Sequence, residues 1–129
     1  MEWYVYNISR HLVKLGHEVE VFTSDTRNGH QELPDEVEGV KIHRLPLRLD
    51  LSYRMKIWNG LNDSLRQGNF DIIHTYDYAQ PHSFTAIDVG RATGRPVALT
   101  VFDVHSLIPR SMWKRFPMKI LERASAHLA

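Results

Sequence analysis

The sequence contains no cysteine, which excludes disulfide bridges, thiolate metal sites and a thiol nucleophile within the chain. No apolar run approaches the roughly 20 residues that a membrane-spanning helix needs, and the N-terminus does not look like a signal peptide. The formal net charge of +1 is far from the strongly basic balance of a dedicated nucleic-acid binder. We therefore predict a globular domain in the cytoplasm, without a nucleic-acid partner.

Several chemical motifs are also missing. The histidines show no spacing that is typical of a metal site, so we predict no metal. No serine lies in a Gly-x-Ser-x-Gly elbow, and no glycine-rich loop or Gly-x-Gly-x-x-Gly motif is present to hold a phosphate or a dinucleotide. The sequence thus predicts no resident cofactor.

What is present is an alternation of strands and helices in a chain of 129 residues, the size of one domain. Strands are predicted at HEVEVFT, GVKIHRLP, FDIIHTYD and RPVALTVFD. Helices are predicted around residues 5–15 with Gly16 as the stop, over 53–67 with Ser52 as the cap, at HSFTAIDVGRAT with Gly94 as the stop, and at FPMKILERASAHLA. This alternation predicts an α/β fold with a mainly parallel sheet between helical layers.

The chain opens on a helix that leads directly into a strand, which is the second half of a βαβ unit. We therefore expect the sheet to lack its first strand. In this topology that strand usually lies centrally, between EVEVF and DIIHT, so its loss leaves either direct pairing of those two strands or a gap filled by another chain. Because unpaired strand edges invite pairing between molecules, we expect self-association or reduced stability.

Charge is distributed unevenly along the chain. The early acidic residues are Glu18, Glu20, Asp25, Glu32, Asp35, Glu36 and Glu38, and the late basic residues are Arg110, Lys114, Arg115, Lys119 and Arg123. We favour two solvated faces over the steering of a charged partner. Trp113 and Phe116 beside the late basic residues allow peripheral contact with an anionic membrane, although packing on the sheet fits their helical spacing better.

Polar side chains follow the predicted strands at their carboxyl ends, where ligands bind in α/β sheets. The three segments are Thr23-Ser24-Asp25, Tyr76-Asp77-Tyr78 and Asp103-Val104-His105. The last two bring carboxylates, phenols and an imidazole toward one edge, a combination suited to binding a sugar. The alternative is that Asp77 and Asp103 only satisfy loop amides, and the residues alone leave both interpretations open.

His74 lies inside the apolar strand IIHTY. We interpret it as a hydrogen-bonded core residue rather than a ligand, because it has no partner at metal-binding spacing.

The segments YVYNISRHLVKLGHEVEVFTS, FDIIHTYD and RPVALTVFD, in this order, resemble the N-terminal half of a GT-B glycosyltransferase of family 4. The resemblance covers nearly the whole chain. It implies a Rossmann-like domain that carries the acceptor side of a retaining, sugar-nucleotide-dependent enzyme, with the nucleotide-sugar as a substrate. It also implies that residues 1–129 are a partial domain, truncated at both ends and inactive alone.

The resemblance places individual residues and shows one departure. Glu2 becomes the acidic residue just past the family's glycine loop, at the edge of the donor site. Where the family pattern TVHD carries a histidine near the acceptor, this chain has Phe102, which cannot donate a hydrogen bond or exchange a proton. No catalytic residue is transferred, and the residues expected to line the acceptor cleft are Asp77, Tyr78, Asp103 and His105.

Two classes of function follow. The first is the acceptor-side part of a glycosyltransferase that acts on a sugar or lipid-linked acceptor. The second is a non-catalytic Rossmann-like binding or interaction module, which Phe102 mildly favours.

Overall fold

A computed structural model of the chain describes residues 2–25, 33–52, 55–78 and 80–102. Its elements in chain order are α1 Glu2–Lys14, β1 Val19–Ser24, β2 Glu36–Val37, β3 Val40–Leu45, β4 Leu47–Ser52, β5 Met55–Trp58, α2 Leu61–Gln67, β6 Ile73–Tyr76, α3 Pro81–Thr93 and β7 Val97–Thr100. No helix among these ranges is long and apolar enough to cross a membrane.

The strands form three small sheets. In the first, β1 pairs with β3 in parallel and β2 pairs with the other side of β3 in antiparallel orientation. In the second, β4 and β5 are antiparallel, and in the third, β6 and β7 are parallel. Helix α3 connects the parallel strands β6 and β7 and forms a βαβ unit with them. The predicted α/β, Rossmann-like class is confirmed.

The predicted strands at HEVEVFT, GVKIHRLP, FDIIHTYD and RPVALTVFD correspond to β1, β3, β6 and β7. The helices expected before Gly16 and before Gly94 are confirmed as α1 and α3. Gly94 follows α3 with φ of 69°, a left-handed conformation that glycine adopts at low cost and that ends the helix. The helix predicted at FPMKILERASAHLA lies outside the described residues.

The helix predicted over residues 53–67 is wrong in its first part. Residues 55–58 form β5 and pair with β4, and α2 begins only at Leu61. Ser52, expected as a helix cap, is the last residue of β4. The repeat of Ile57, Leu61 and Leu65 at spacing four suggested one continuous helix, but Met55 and Ile57 alternate with Lys56 and Trp58 at the period of a strand.

The hydrophobic core lies between α2, α3 and the parallel pair β6–β7. Its buried members are Leu61, Leu65, Ile73, Ala86 and Val89, and Phe22, Leu45, Trp58, Phe70 and Val97 pack against them. Val89 is completely buried. Because Phe22 and Leu45 belong to the β1–β3 sheet, one apolar cluster joins that sheet to the β6–α3–β7 unit.

Helix α1 packs on the β1–β3 sheet and is attached to the turn before β3. The Tyr6 hydroxyl donates a 2.6 Å hydrogen bond to Glu38, and Arg10 lies 4.0 Å from the same carboxylate. The hydrogen bond from Tyr6, reinforced by Arg10 and Lys14, lowers the pKa of Glu38. The first turn of α1 extends beyond this sheet, and its Tyr4 ring reaches β6.

Candidate functional site

The carboxyl ends of β6 and β7 lie side by side and form the candidate site. The Ile73 amide donates to the carbonyl oxygen of Pro96 at 3.0 Å, and the Asp77 amide donates to that of Thr100 at 2.9 Å. These two bonds fix the register in which Tyr76 lies opposite Thr100. The residues that follow the two strands therefore meet at one edge of the sheet, where ligands bind in this class of fold.

Asp77 and Tyr78, both predicted as site residues, lie in the turn between β6 and α3 and are half-buried. Asp77 has φ of 67°, a left-handed conformation that aspartate tolerates better than most side chains. The backbone turns sharply at this point, directly after the last residue of β6. The Asp77 carboxylate lies close enough to His82, at the start of α3, to act on the charge of that imidazole.

Ser83, which is 2% exposed, fastens this turn to the start of α3. Its hydroxyl lies 2.8 Å from the carbonyl oxygen of Asp77 and 3.0 Å from that of Tyr76. The Thr75 hydroxyl is 3.0 Å from the same Ser83 oxygen. Since Ser83 has one proton, it donates to the carbonyl pair, and Thr75 donates to Ser83. These bonds satisfy the backbone carbonyls of Tyr76 and Asp77. The alternative that the Asp77 carboxylate only satisfies loop amides stays a prediction.

His82 forms a second hydrogen bond to the carbonyl oxygen of Tyr76, which Ser83 also contacts. Its Nε2 is 3.0 Å from the carbonyl oxygen of Tyr76, so Nε2 carries a proton and donates. The ring of Trp58 stacks on the imidazole with 4.8 Å between centroids and 15° between planes. Burial lowers the pKa of His82, and the hydrogen bond to Tyr76 and the charge of Asp77 offset this only in part. A neutral imidazole therefore supports the strand end.

His74, Tyr76 and Thr100 form a hydrogen-bonded relay on the opposite face of β6. Nε2 of His74 is 2.8 Å from the Thr100 hydroxyl oxygen, and Nδ1 is 3.2 Å from the Tyr76 hydroxyl oxygen. Burial lowers the pKa of His74 and raises that of Tyr76. His74 is hydrogen-bonded as predicted, but it is half-buried and lies outside the core to which the prediction assigns it.

The relay leaves one hydroxyl proton unused. A neutral imidazole donates through one nitrogen and accepts through the other. If His74 donates to Thr100, it accepts from Tyr76, and the Thr100 proton is free of the relay. If His74 instead donates to Tyr76, it accepts from Thr100, and the Tyr76 proton is free of the relay. In both cases the relay has one hydroxyl donor for a further acceptor at the carboxyl edge.

Three aromatic rings meet at this edge, from α1, from β6 and from the segment that follows β7. We call Tyr4, Tyr76 and Phe102 the aromatic edge cluster. The Tyr4 ring contacts Phe102 at 5.0 Å and Tyr76 at 6.0 Å, both edge to face. The rings of Tyr76 and Phe102 are nearly parallel at 6.1 Å. Sequence reasoning missed Tyr4, Trp58 and His82, because no spacing in the sequence connects α1 or β5 with the end of β6.

The remaining predicted site residues lie on other elements or outside the described ranges. Glu2 is the exposed first residue of α1. Asp25 follows β1 in a different sheet, with its amide donating to the carbonyl oxygen of Leu45. Asp103 and His105 lie outside the described residues, so their place in the acceptor cleft stays a prediction. Within the described ranges, no group of three histidines and acidic residues is arranged to hold a metal ion.

One family model matches the chain. Its description is glycosyl transferase 4-like domain, and the match spans residues 1–129. Comparison with curated proteins and with solved structures gave no match.

Proposed function

The chain belongs to the family of glycosyl transferase 4-like domains, and from that premise we propose that it supplies the acceptor-side domain of a glycosyltransferase. The observation that carries the proposal is the carboxyl edge of β6 and β7. Carboxylate, hydroxyl and imidazole groups lie there beside half-exposed aromatic rings. Sugar hydroxyls form hydrogen bonds with such polar groups, and the apolar C–H faces of a sugar ring pack on aromatic rings.

The proposed enzyme is a retaining glycosyltransferase of the GT-B type that uses a nucleotide-sugar as donor. The donor is a substrate, and no cofactor is required from this domain. Most of the donor site is assigned to a second α/β domain, so residues 1–129 alone do not catalyse transfer. Glu2, at the exposed start of α1, is assigned to the edge of the donor site.

The acceptor is proposed to be a sugar or a lipid-linked sugar, and the location cytoplasmic. Asp77 is assigned the role of accepting a hydrogen bond from an acceptor hydroxyl, with Tyr78 beside it. Asp103 and His105 complete the proposed cleft. For Trp113 and Phe116 we expect packing on the sheet rather than peripheral membrane contact, and co-sedimentation with anionic liposomes would contradict that expectation.

The second candidate function is a non-catalytic binding module. The observation that favours it is the Phe102 side chain at the end of β7, which has no group to exchange a proton or to bond a hydroxyl. Such a module would retain the sugar-binding edge and would not catalyse transfer in any polypeptide context. The two candidates therefore differ in turnover and not in binding.

The test begins with the reading frame on both sides of the 129-residue segment. The enzyme proposal expects a glycine loop upstream and a second α/β domain downstream. The protein encoded by the whole frame is then assayed for transfer from radiolabelled nucleotide-sugars to pyranoside acceptors, beside the 129-residue chain. We expect transfer from the former only. Turnover by the 129-residue chain alone, or none by the whole-frame product, would contradict the proposal.

Asp77→Asn in the active protein tests the assigned site. Asparagine tolerates the left-handed backbone at this position, so the substitution removes the charge with little strain. We expect kcat/KM to fall about 10- to 100-fold, the effect of losing a charged hydrogen bond. The matched control is Asp88→Asn, an exposed position on α3, which should leave kcat/KM unchanged. If the two substitutions changed kcat/KM equally, Asp77 would not belong to the site.

A further inference from the structure

The aromatic edge cluster exposes apolar surface at the point where a ligand of this domain is expected. Phe102 is 43% exposed and Tyr4 is 41% exposed. We propose that Tyr4, Tyr76 and Phe102 form a stacking platform for a pyranose ring whose hydroxyl groups are equatorial. This inference rests on the proposed function and names the part of the acceptor that the edge binds.

The platform is held in place from three directions. Tyr76 is the last residue of β6, Phe102 follows β7, and Tyr4 comes from the first turn of α1. The edge-to-face contacts of Tyr4 with both other rings lie in the favourable range for aromatic pairs. Because each ring contacts the other two, the surface is preorganised, and little side-chain freedom is lost when a ligand binds.

The chemistry of the edge selects a ring over an open chain. Equatorial hydroxyls project outward from a pyranose and leave its two faces covered by C–H bonds, which is the apolar surface that an aromatic platform accepts. Beside the platform is the spare hydroxyl proton of the His74 relay. This donor suits a hydroxyl at the rim of the same ring.

Other exposed aromatic groups lack this combination. Trp3 stacks on Tyr6 at 5.7 Å, but Tyr6 is engaged by Glu38 and Arg10 on the side of α1 that faces the turn before β3. Phe84 is 41% exposed on α3 and belongs to no aromatic pair among the described residues. Its exposure matches that of Tyr4 and Phe102, so it serves as the control position.

The test is a titration of the 129-residue chain with methyl β-D-glucopyranoside, followed by NMR chemical shifts. Glucitol, an open-chain polyol, is the matched ligand control. We expect saturable binding of the glucoside, and at least about tenfold weaker binding of glucitol, since glucitol has no ring face to stack.

Phe102→Leu retains the apolar volume and removes the aromatic face, so we expect the Kd for the glucoside to rise about tenfold. Tyr4→Phe keeps the ring, and we expect it to retain the affinity of the wild type. Phe84→Leu should have no effect. Thermal melting of each variant verifies that it is folded.

The inference is overturned if glucitol binds as tightly as the glucoside, if Phe102→Leu binds as tightly as the wild type, or if the glucoside does not bind. None of these results decides the proposed function, which is tested by transfer from a nucleotide-sugar. Conversely, if the glucoside binds but the whole-frame protein transfers no sugar, the enzyme proposal is contradicted and the stacking platform is supported.

Discussion

His82 lies between the Trp58 ring and the carbonyl oxygen of Tyr76, where burial lowers the pKa of its imidazole below the ordinary value of 6.5. His74 is shifted in the same direction by its own burial. The unfolded chain therefore takes up these protons at a higher pH than the folded chain does. Stability from this source is fully present above the ordinary value of 6.5 and is lost as the pH falls toward the lowered pKa values.

We expect the melting temperature to decrease as the pH is lowered from about 7.5 to about 5, a window in which histidines titrate. His82→Gln should flatten this dependence, because glutamine keeps an N–H donor for the Tyr76 carbonyl and does not titrate. Differential scanning calorimetry across this window measures the slope. The control is His17→Gln, at an exposed position after α1, which should retain the wild-type slope. If His17→Gln flattened the pH dependence and His82→Gln did not, the response would not arise from His82.

At the scale of elements, Gly90 sets the distance between α3 and β7. A Cβ at this position would collide with Cγ2 of Val97 and lie 3.0 Å from the carbonyl oxygen of Arg95. Because the Arg95 amide donates back to the Gly90 carbonyl at 2.9 Å, the helix cannot easily withdraw. Gly90→Ala should therefore reduce the free energy of unfolding by about 1–3 kcal/mol despite the better helix propensity of alanine.

Urea denaturation followed by circular dichroism measures this change. Asp88→Ala, an exposed position on the same helix, is the matched control and should remain within about 0.5 kcal/mol of the wild type. If Gly90→Ala is as stable as the wild type, α3 lies farther from β7 than the structure places it.

Elements with one clear periodicity could be predicted from the sequence. In α1, Val5, Ile8 and Leu12 recur at helical spacing, and in β6 a continuous apolar run precedes a polar turn. Residues 53–67 carry two periodicities, because Ile57, an exposed position of β5, lies four residues before Leu61, a buried position of α2. The pairing of β5 with β4 decides between them, and that pairing depends on tertiary contacts that no local pattern contains.

At the scale of the whole molecule, part of the candidate edge could be predicted from the sequence. Parallel strands bring their carboxyl ends together, so Asp77 and Tyr78 were located by topology alone. Tyr4 was not, because α1 lies far from β6 in the sequence and its ring reaches the edge only through the packing of the helix. Phe102 appeared in the sequence as a departure from the family pattern, and only its neighbours Tyr4 and Tyr76 give it a place in a cluster.

The free edges of the parallel strands also belong to this scale. Among the described residues, β1 is paired only with β3, and β6 only with β7. The amides of Ile73 and Asp77 point toward β7, so alternation along the strand turns the amides of His74 and Tyr76 toward the other edge. In the same way the Asp25 amide points toward β3, and that of Ser24 points away from it. Unpaired edges of this kind recruit strands from other molecules.

We therefore expect the 129-residue chain to self-associate, with a mass in multi-angle light scattering that increases with concentration. Ser24→Pro removes one donor from the free edge of β1 without breaking its pairing with β3, so it should weaken association about five- to tenfold. Ser24→Val keeps the amide in a strand-forming residue and should associate as the wild type does. A monomeric mass at every concentration would contradict the expectation, and equal association of the two variants would move the contact away from the β1 edge.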